Sequence, residues 1–233
     1  CPNHHPDPIV KSNLTDLIDL MKEGSHDIGI AFDGDADRVG VVDETGDIIW
    51  ADQLMALFLP ELLEEGDEIL FDVKCSQALE DMIIKYGGKP VMWKTGHSLI
   101  KQRMSELNCK LGGEISGHIF FADDYYGYDD AIYVAARIVQ TLSRTKKTLS
   151  ELKAELPIYY STPEIRLEAE SDEEKFRIAK EAIEYFIANY DCSTVDGVRI
   201  KFDDGWGLVR SSNTQPVIVC RFEANTVDKM EEI

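Results

Sequence analysis

The 233-residue sequence predicts an α/β fold, with mixed β-sheet and helix domains followed by a smaller α+β unit at the C-terminal end. Three observations predict it. Up to residue 107, five-residue apolar runs alternate with amphipathic segments of helical period, a rhythm that favours a parallel or mixed sheet covered by helices. Polar, glycine-bearing loops stand where the apolar runs stop, the place where open α/β sheets bind ligands. From Ser161 the rhythm changes to one strand, one long helix and three short strands.

The elements follow in order. Leu14, Leu17, Ile18 and Met21 fall at helical spacing, and Gly24 closes that helix. Strand 28–32 leads into an acidic loop. Val39–Val42 and Ile48–Trp50 read as a hairpin around the Thr45-Gly46 turn. A second helix, capped by Asp52, is expected to end or kink at Pro60 before Leu63. Strand 69–73, a helix 76–86 capped by Ser76 and stopped by Gly87-Gly88, strand 90–93 and helix 98–107 continue the alternation. A loop at 112–118 precedes strand His118–Phe121, an aromatic-acidic loop Asp123–Tyr128 and a long helix Asp129–Ser143. Lys146-Lys147-Thr148 and a short helix form a connector. Strand 163–169, helix 172–189 and strands near 197–202, 207–210 and 217–223 complete the chain.

A formal net charge of −20 argues against nucleic acid and anionic lipid as partners, because both are drawn to basic surfaces. A small phosphorylated ligand remains compatible, since Arg38, Lys74, Lys94 and Arg210 sit beside the polar loops. No segment reaches the roughly 18 uninterrupted apolar residues of a membrane helix, and the first residues lack a signal-peptide layout. Five scattered cysteines without a CxxC pair suggest reduced thiols and a cytoplasmic chain.

Four loops carry chemistry. In Asp33-Gly34-Asp35-Ala36-Asp37-Arg38, carboxylates at alternate positions can converge on Mg2+ or a similar hard cation, and Arg38 would face an anion that the metal also touches. A solvated acidic turn is the other reading. Lys94-Thr95-Gly96-His97 enters a helix, where backbone N–H groups favour an anion, with His97 either a binding group or a plain cap residue. In Gly112-Gly113-Glu114-Ile115-Ser116-Gly117-His118, Glu114 and Ser116 can share hydrogen bonds with vicinal hydroxyls, and His118 can move protons near neutral pH. A glycine-rich turn is the alternative. Arg210-Ser211-Ser212-Asn213-Thr214-Gln215-Pro216 offers a guanidinium, hydroxyls and an amide suited to phosphate, or is simply a polar hairpin loop. Lys74 stands at the carboxyl end of strand 69–73.

Taken in this order and at these distances, DGDADR (33–38), KTGH (94–97), GGEISGH (112–118) and RSSNTQP (210–216) resemble the loops of the α-D-phosphohexomutases. The opening Pro2-Asn3-His4-His5-Pro6-Asp7-Pro8 and the run Asp72-Val73-Lys74-Cys75 resemble the bacterial phosphomannomutase/phosphoglucomutase branch. The resemblance spans essentially the whole chain.

The resemblance implies the end of the second (1–47), all of the third (48–159) and most of the fourth (160–233) of the family's four domains. It leaves out the first domain, which bears a catalytic phosphoserine, and places the chain's last residues inside the final helix. It implies that Asp33, Asp35 and Asp37 hold Mg2+ and that Arg38 steadies the transferring phosphoryl group. Glu114 and Ser116 would grip the O3 and O4 hydroxyls of the hexose. Arg210, Ser212, Asn213 and Thr214 would hold the non-reacting phosphate. Lys74, Thr95, Gly96, His97 and His118 would line the site, with either histidine as general acid or base. The implied reaction interconverts hexose 1-phosphates and 6-phosphates of glucose and mannose through a hexose 1,6-bisphosphate. Two departures stand out: Ala36 where glycine is frequent, and Gln215 where glutamate is frequent.

The isolated chain is expected to be inactive and to need its N-terminal mutase domains. An Asp-x-Asp hydrolase would leave GGEISGH and RSSNTQP without a role. A non-catalytic module binding metal and phosphosugar is the further alternative, and tight Ca2+ binding indifferent to sugar phosphate would mark it.

Overall fold

In the computed structural model, which describes residues 4–212 and 215–233, the first apolar stretches build a small antiparallel sheet. Expectations placed on Cys1, Pro2, Asn3, Asn213 and Thr214 lie outside the described residues. Helix α1 (Thr15–Lys22) follows a 3-10 turn at Lys11–Leu14 and buries Ile18 and Met21. It packs on β1 (Ile28–Phe32) and β2 (Val39–Asp43). Strand β2 pairs antiparallel with β1 and with β3 (Ile48–Ile49). The hairpin between β2 and β3 is pinned by Asp43, whose Oδ1 accepts the N–H groups of Thr45 and Asp47, each at 2.9 Å.

The second sheet runs in the order β5 (Lys89–Trp93), β4 (Glu68–Asp72), β6 (Leu111–Gly113), β7 (Ile119–Phe121). Strand β4 is parallel to β6, and β6 antiparallel to β7, so the sheet is mixed as expected. Helix α2 (Ala51–Leu62) packs on α3 (Gln77–Lys85) and β6, while α4 (His97–Leu107) packs on β4 and β6. Helix α5 (Ala131–Ser143) touches β2 and β7 and so ties both sheets together; α6 (Leu149–Lys153) packs on α2. Phe58 and Phe121 meet edge to face at 5.0 Å in the core.

Three local expectations change. Asp52 does not cap its own helix; Trp50 is the cap residue, and the buried Asp52 carboxylate instead accepts the Ser76 N–H at 2.8 Å. Pro60 does not end α2, because Leu63 still donates to the Leu59 carbonyl at 3.0 Å and buried Leu62 anchors the last turn. Helix α5 begins at Ala131, because Asp130 is the cap, accepting the Tyr133 N–H at 3.0 Å.

The chain divides into two compact units, the first formed by Cys1–Val91 and Gly96–Pro157, the second by Met92–Thr95 and Ile158–Ile233. Within the second, a sheet runs β10 (Cys192–Ser193), β11 (Val198–Lys201), β12 (Gly205–Ser211), β13 (Val217–Ala224), β8 (Tyr160–Ser161), with β9 (Ile165–Glu168) also on β13. Helix α7 (Asp172–Asn189), capped by Ser171, lies on β11, β12 and β13. A short α8 (Val227–Glu232) follows. The strand expected at 163–169 is β9, while the short β8 before it and β10 were not anticipated.

Candidate functional site

The acidic loop leaves the end of β1 and closes on itself. Asp33 donates its N–H to the Arg38 carbonyl at 3.3 Å, and its Oδ1 accepts the N–H groups of Asp37 and Arg38, each at 3.1 Å. Arg38 Nε donates to Asp33 Oδ2 at 2.8 Å and Nη1 to Asp7 Oδ1 at 3.1 Å. Asp7, which was not singled out from the sequence, therefore helps aim this guanidinium. Carboxylate oxygens of Asp33, Asp35 and Asp37 lie within 4.8 Å of one another. Their mutual repulsion is uneven. Burial and the neighbouring carboxylates of Asp33, Asp35 and Asp129 push Asp37 up to about 6. Burial acts the same way on Asp33, but the bonds from Arg38 outweigh it and hold that carboxyl below its ordinary value. Three hard oxygen donors whose repulsion Arg38 offsets chiefly at Asp33 fit a small dication such as Mg2+.

Ala36 has φ +61, the left-handed region that glycine occupies freely. Its carbonyl accepts the Ala131 N–H at 3.0 Å, which fastens the loop to the start of α5.

GGEISGH is a β-hairpin. Glu114 donates its N–H to the His118 carbonyl at 2.9 Å, and Gly117 to the Glu114 carbonyl at 3.1 Å. The first two glycines belong to β6, a strand absent from the sequence reading because glycine disfavours strands. Packing explains them: a Cβ on Gly112 would stand 2.5 Å from Met104 Sδ, and one on Gly113 2.6 Å from Met55 Sδ and 2.9 Å from the His118 carbonyl. At the tip, Gly117 has φ +101, and its carbonyl accepts the Val39 N–H at 3.1 Å. The glycine hairpin and the acidic loop are thereby joined through the backbone.

Glu114 points inward. It is 2 % exposed, and its Oε1 accepts the Gly96 N–H at 2.6 Å. Gly96, at φ +139, opens α4. Burial, then the charge of Asp72, raises Glu114 to about 7. Lys74 is also buried, with its ammonium 3.8 Å from Asp72, so the strand-end lysine does belong to this cluster. Ser116 is half-buried in the hairpin turn.

Asp129 collects the histidines. His97 Nδ1 lies 3.0 Å and His118 Nδ1 3.2 Å from Asp129 Oδ2, and Lys101 donates to Oδ1 at 2.8 Å. His118 Nδ1 also lies 3.8 Å from Asp37 Oδ2. Burial holds His118 below its ordinary pKa despite Asp129, so the neutral ring is favoured. Asp129 and Lys101 were missed in the sequence. Asp129 was read only as the first residue of the helix 129–143, and no spacing rule links it to residues 97 and 118.

In the second unit, Arg210 lies on β12 with its side chain nearly buried, and its Nε donates to Asp196 Oδ2 at 2.9 Å. Its Nη2 is buried without a hydrogen-bond partner among the described residues, a donor left for an anion. Ser212 is buried beside it and donates its N–H to the Val217 carbonyl at 2.9 Å. Beneath this loop lies Lys175 of α7, 3 % exposed, whose Nζ donates to the carbonyls of Ser212 at 3.0 Å and Gln215 at 3.1 Å. Lys175 was not singled out from the sequence. Gln215 accepts from Arg166. Thr95 donates its N–H to Asp196 Oδ2 at 3.1 Å.

Comparison with known proteins accounts for this set of loops. Residues 1–46 match the family model described as phosphoglucomutase/phosphomannomutase, alpha/beta/alpha domain II; residues 50–160 match its domain III and residues 164–233 its C-terminal domain. The chain is 49 % identical to a phosphomannomutase/phosphoglucomutase of Pseudomonas putida, covering 100 % of this chain and 50 % of the relative. It is 42 % identical to a phosphoglucomutase of Neisseria gonorrhoeae, covering 100 % of this chain and 51 % of the relative. The crystal structure of a phosphoglucomutase/phosphomannomutase family protein from Burkholderia thailandensis superposes with a TM-score of 0.88 at 41 % identity, over 100 % of this chain and 50 % of that one. The chain spans about half the length of the curated relatives it matches.

Proposed function

Because this chain belongs to the phosphoglucomutase/phosphomannomutase family, we propose that its parent enzyme interconverts hexose 1-phosphates and hexose 6-phosphates of glucose and mannose through a hexose 1,6-bisphosphate. The division into 1–47, 48–159 and 160–233 is part of this reading, as are a cytoplasmic setting and a phosphoserine supplied by mutase length outside this chain. The observation that carries the reading is the 3.1 Å bond from Val39 N–H to the Gly117 carbonyl. It joins a three-carboxylate loop to a hairpin holding a carboxylate, a hydroxyl and an imidazole, the groups a phosphoryl transfer to a sugar hydroxyl requires.

Asp33, Asp35 and Asp37 would hold Mg2+, which when bound neutralises charge on the phosphoryl oxygens. The chain's own groups do the rest. Arg38, fixed by Asp33 and Asp7, presents a guanidinium whose position is set before substrate arrives. Such preorganisation is the main lever in phosphoryl transfer. His118 keeps a neutral ring and can take the proton of the attacking hydroxyl, while Asp129 steadies the imidazolium that results. Lys74 and His97 line the same site. Glu114 and Ser116 would bind sugar hydroxyls near the pseudo-two-fold centre of the hexose, so that one hairpin serves both orientations of the bisphosphate. Thr95 and Gly96 would line the substrate, their own N–H groups being held by Asp196 and Glu114, and Arg210 and Ser212 would bind the idle phosphate. The same role is proposed for Asn213 and Thr214.

The test is turnover of glucose 1-phosphate and mannose 1-phosphate with Mg2+ and a trace of hexose 1,6-bisphosphate, by the parent protein and by this chain alone. Activity is expected only in the parent. No activity in either, with Mg2+ binding intact, would favour a module that binds metal and phosphosugar without catalysis.

A further inference from the structure

Beside the carboxylate trio lies a second set of ligating atoms with different chemistry. One ligand atom each from Asp37, His97, His118 and Asp129 falls within 4.8 Å of the others. Three of the separations are 3.0 Å (His97 Nδ1 to Asp129 Oδ2), 3.2 Å (His118 Nδ1 to Asp129 Oδ2) and 3.8 Å (His118 Nδ1 to Asp37 Oδ2). Tetrahedral Zn2+ with bonds of about 2.0 Å sets its ligand atoms about 3.3 Å apart, and these three separations bracket that spacing.

Four further features prepare these atoms for a metal. His118 Nδ1 is buried without a hydrogen-bond partner, although two carboxylates stand close to it. Asp129 offers Oδ2 while its Oδ1 is held by Lys101 at 2.8 Å, the outer hydrogen bond that ligating carboxylates commonly carry. Arg38 Nε lies 3.8 Å from Oδ1 of Asp37, which leaves Oδ2 toward His118. His97 is the accessible corner, its side chain 52 % exposed at the start of α4, so an ion has an entry path.

We propose that Asp37, His97, His118 and Asp129 form a second cation site, selective for a borderline divalent metal such as Zn2+ over Mg2+. Two imidazoles and two carboxylates suit Zn2+, whereas Mg2+ prefers oxygen ligands in octahedral array. Asp37 belongs to both sets, so Zn2+ here withdraws a ligand from the carboxylate trio and silences the site without entering it. The four-ligand geometry stands on side-chain positions alone, whereas the silencing rests on the proposed mutase role of the trio.

The probe is Co2+ and Zn2+ added to this chain, followed by visible absorption and calorimetry. Intense visible bands of tetrahedral Co2+, displaced by stoichiometric Zn2+, are expected. H97Q should weaken Zn2+ about tenfold or more, as loss of a ligand or its support does, and leave Mg2+ affinity within about twofold. D35N should do the reverse. Weak octahedral Co2+ bands in the unmutated chain would overturn the proposal, as would equal Zn2+ affinity in H97Q and the unmutated chain. Zn2+ lost in D35N but kept in H97Q would assign the ion to the carboxylate trio, and would also overturn it.

Discussion

Val39 and Gly117 approach each other so closely that only glycine fits at 117: a Cβ there would lie 2.9 Å from the Val39 carbonyl and 3.3 Å from the Val39 nitrogen that donates to Gly117. Gly117→Ala combines that clash with alanine at φ +101. The backbone term alone costs about 1–2 kcal/mol, so a loss of about 2 kcal/mol or more is expected in urea unfolding. Parent turnover should fall further than stability does, because the two loops would part.

Ala36 predicts the opposite sign. Its φ of +61 carries left-handed strain of about 1 kcal/mol, partly offset by the extra freedom glycine has when unfolded. Ala36→Gly should raise the unfolding free energy by a few tenths of a kcal/mol, about 0.5 at most, and shift the urea midpoint upward. A lower midpoint would show that strain is relieved elsewhere.

Glu114 makes stability depend on pH. Its carboxyl is raised to about 7 in the folded chain from an ordinary 4.5, so the folded state holds a proton that the unfolded state has released. Its contribution favours folding below pH 4.5, and that advantage is lost as pH rises through 7. Glu114→Gln keeps an oxygen for the Gly96 N–H and should flatten this part of the profile. Denaturant titrations at pH 5, 6, 7 and 8 provide the measurement.

Lys175 underpins the loop after β12. Lys175→Met removes donors from the Ser212 and Gln215 carbonyls and should cost about 1–3 kcal/mol. Binding of inorganic phosphate should weaken in the same variant. Unchanged phosphate affinity in the folded variant would separate this lysine from loop geometry.

Asp35 is exposed, so Asp35→Asn should move stability by no more than about 0.5 kcal/mol. Mg2+ affinity, read by calorimetry, should drop about tenfold or more if this carboxylate is a ligand.

The elements with clear period were legible before any coordinates. Apolar spacing located α1, β1, α3 and α7, and Ser76 caps α3 as read, accepting the Ala78 N–H at 3.1 Å. The loops at 33–38, 94–97, 112–118 and 210–216 were legible too, because carboxylates, glycines and cations crowd them beyond what a turn needs. Strand β6 was not, since two of its three residues are glycines chosen by Met104 and Met55 across the packing.

The sequence by itself determined where polar chemistry sits at strand ends and which family those loops resemble, because that information is local and lies in residue type and spacing. Only the tertiary structure decided that Glu114 turns inward to Gly96, that Asp129 gathers His97, His118 and Lys101, and that Lys175 lies buried beneath the 212–215 loop. Each of those depends on partners that local residue spacing does not pair, 18 positions apart for Glu114 and Gly96 and 37 for Lys175 and Ser212, and on burial, where desolvation shifts the pKa of a charged group.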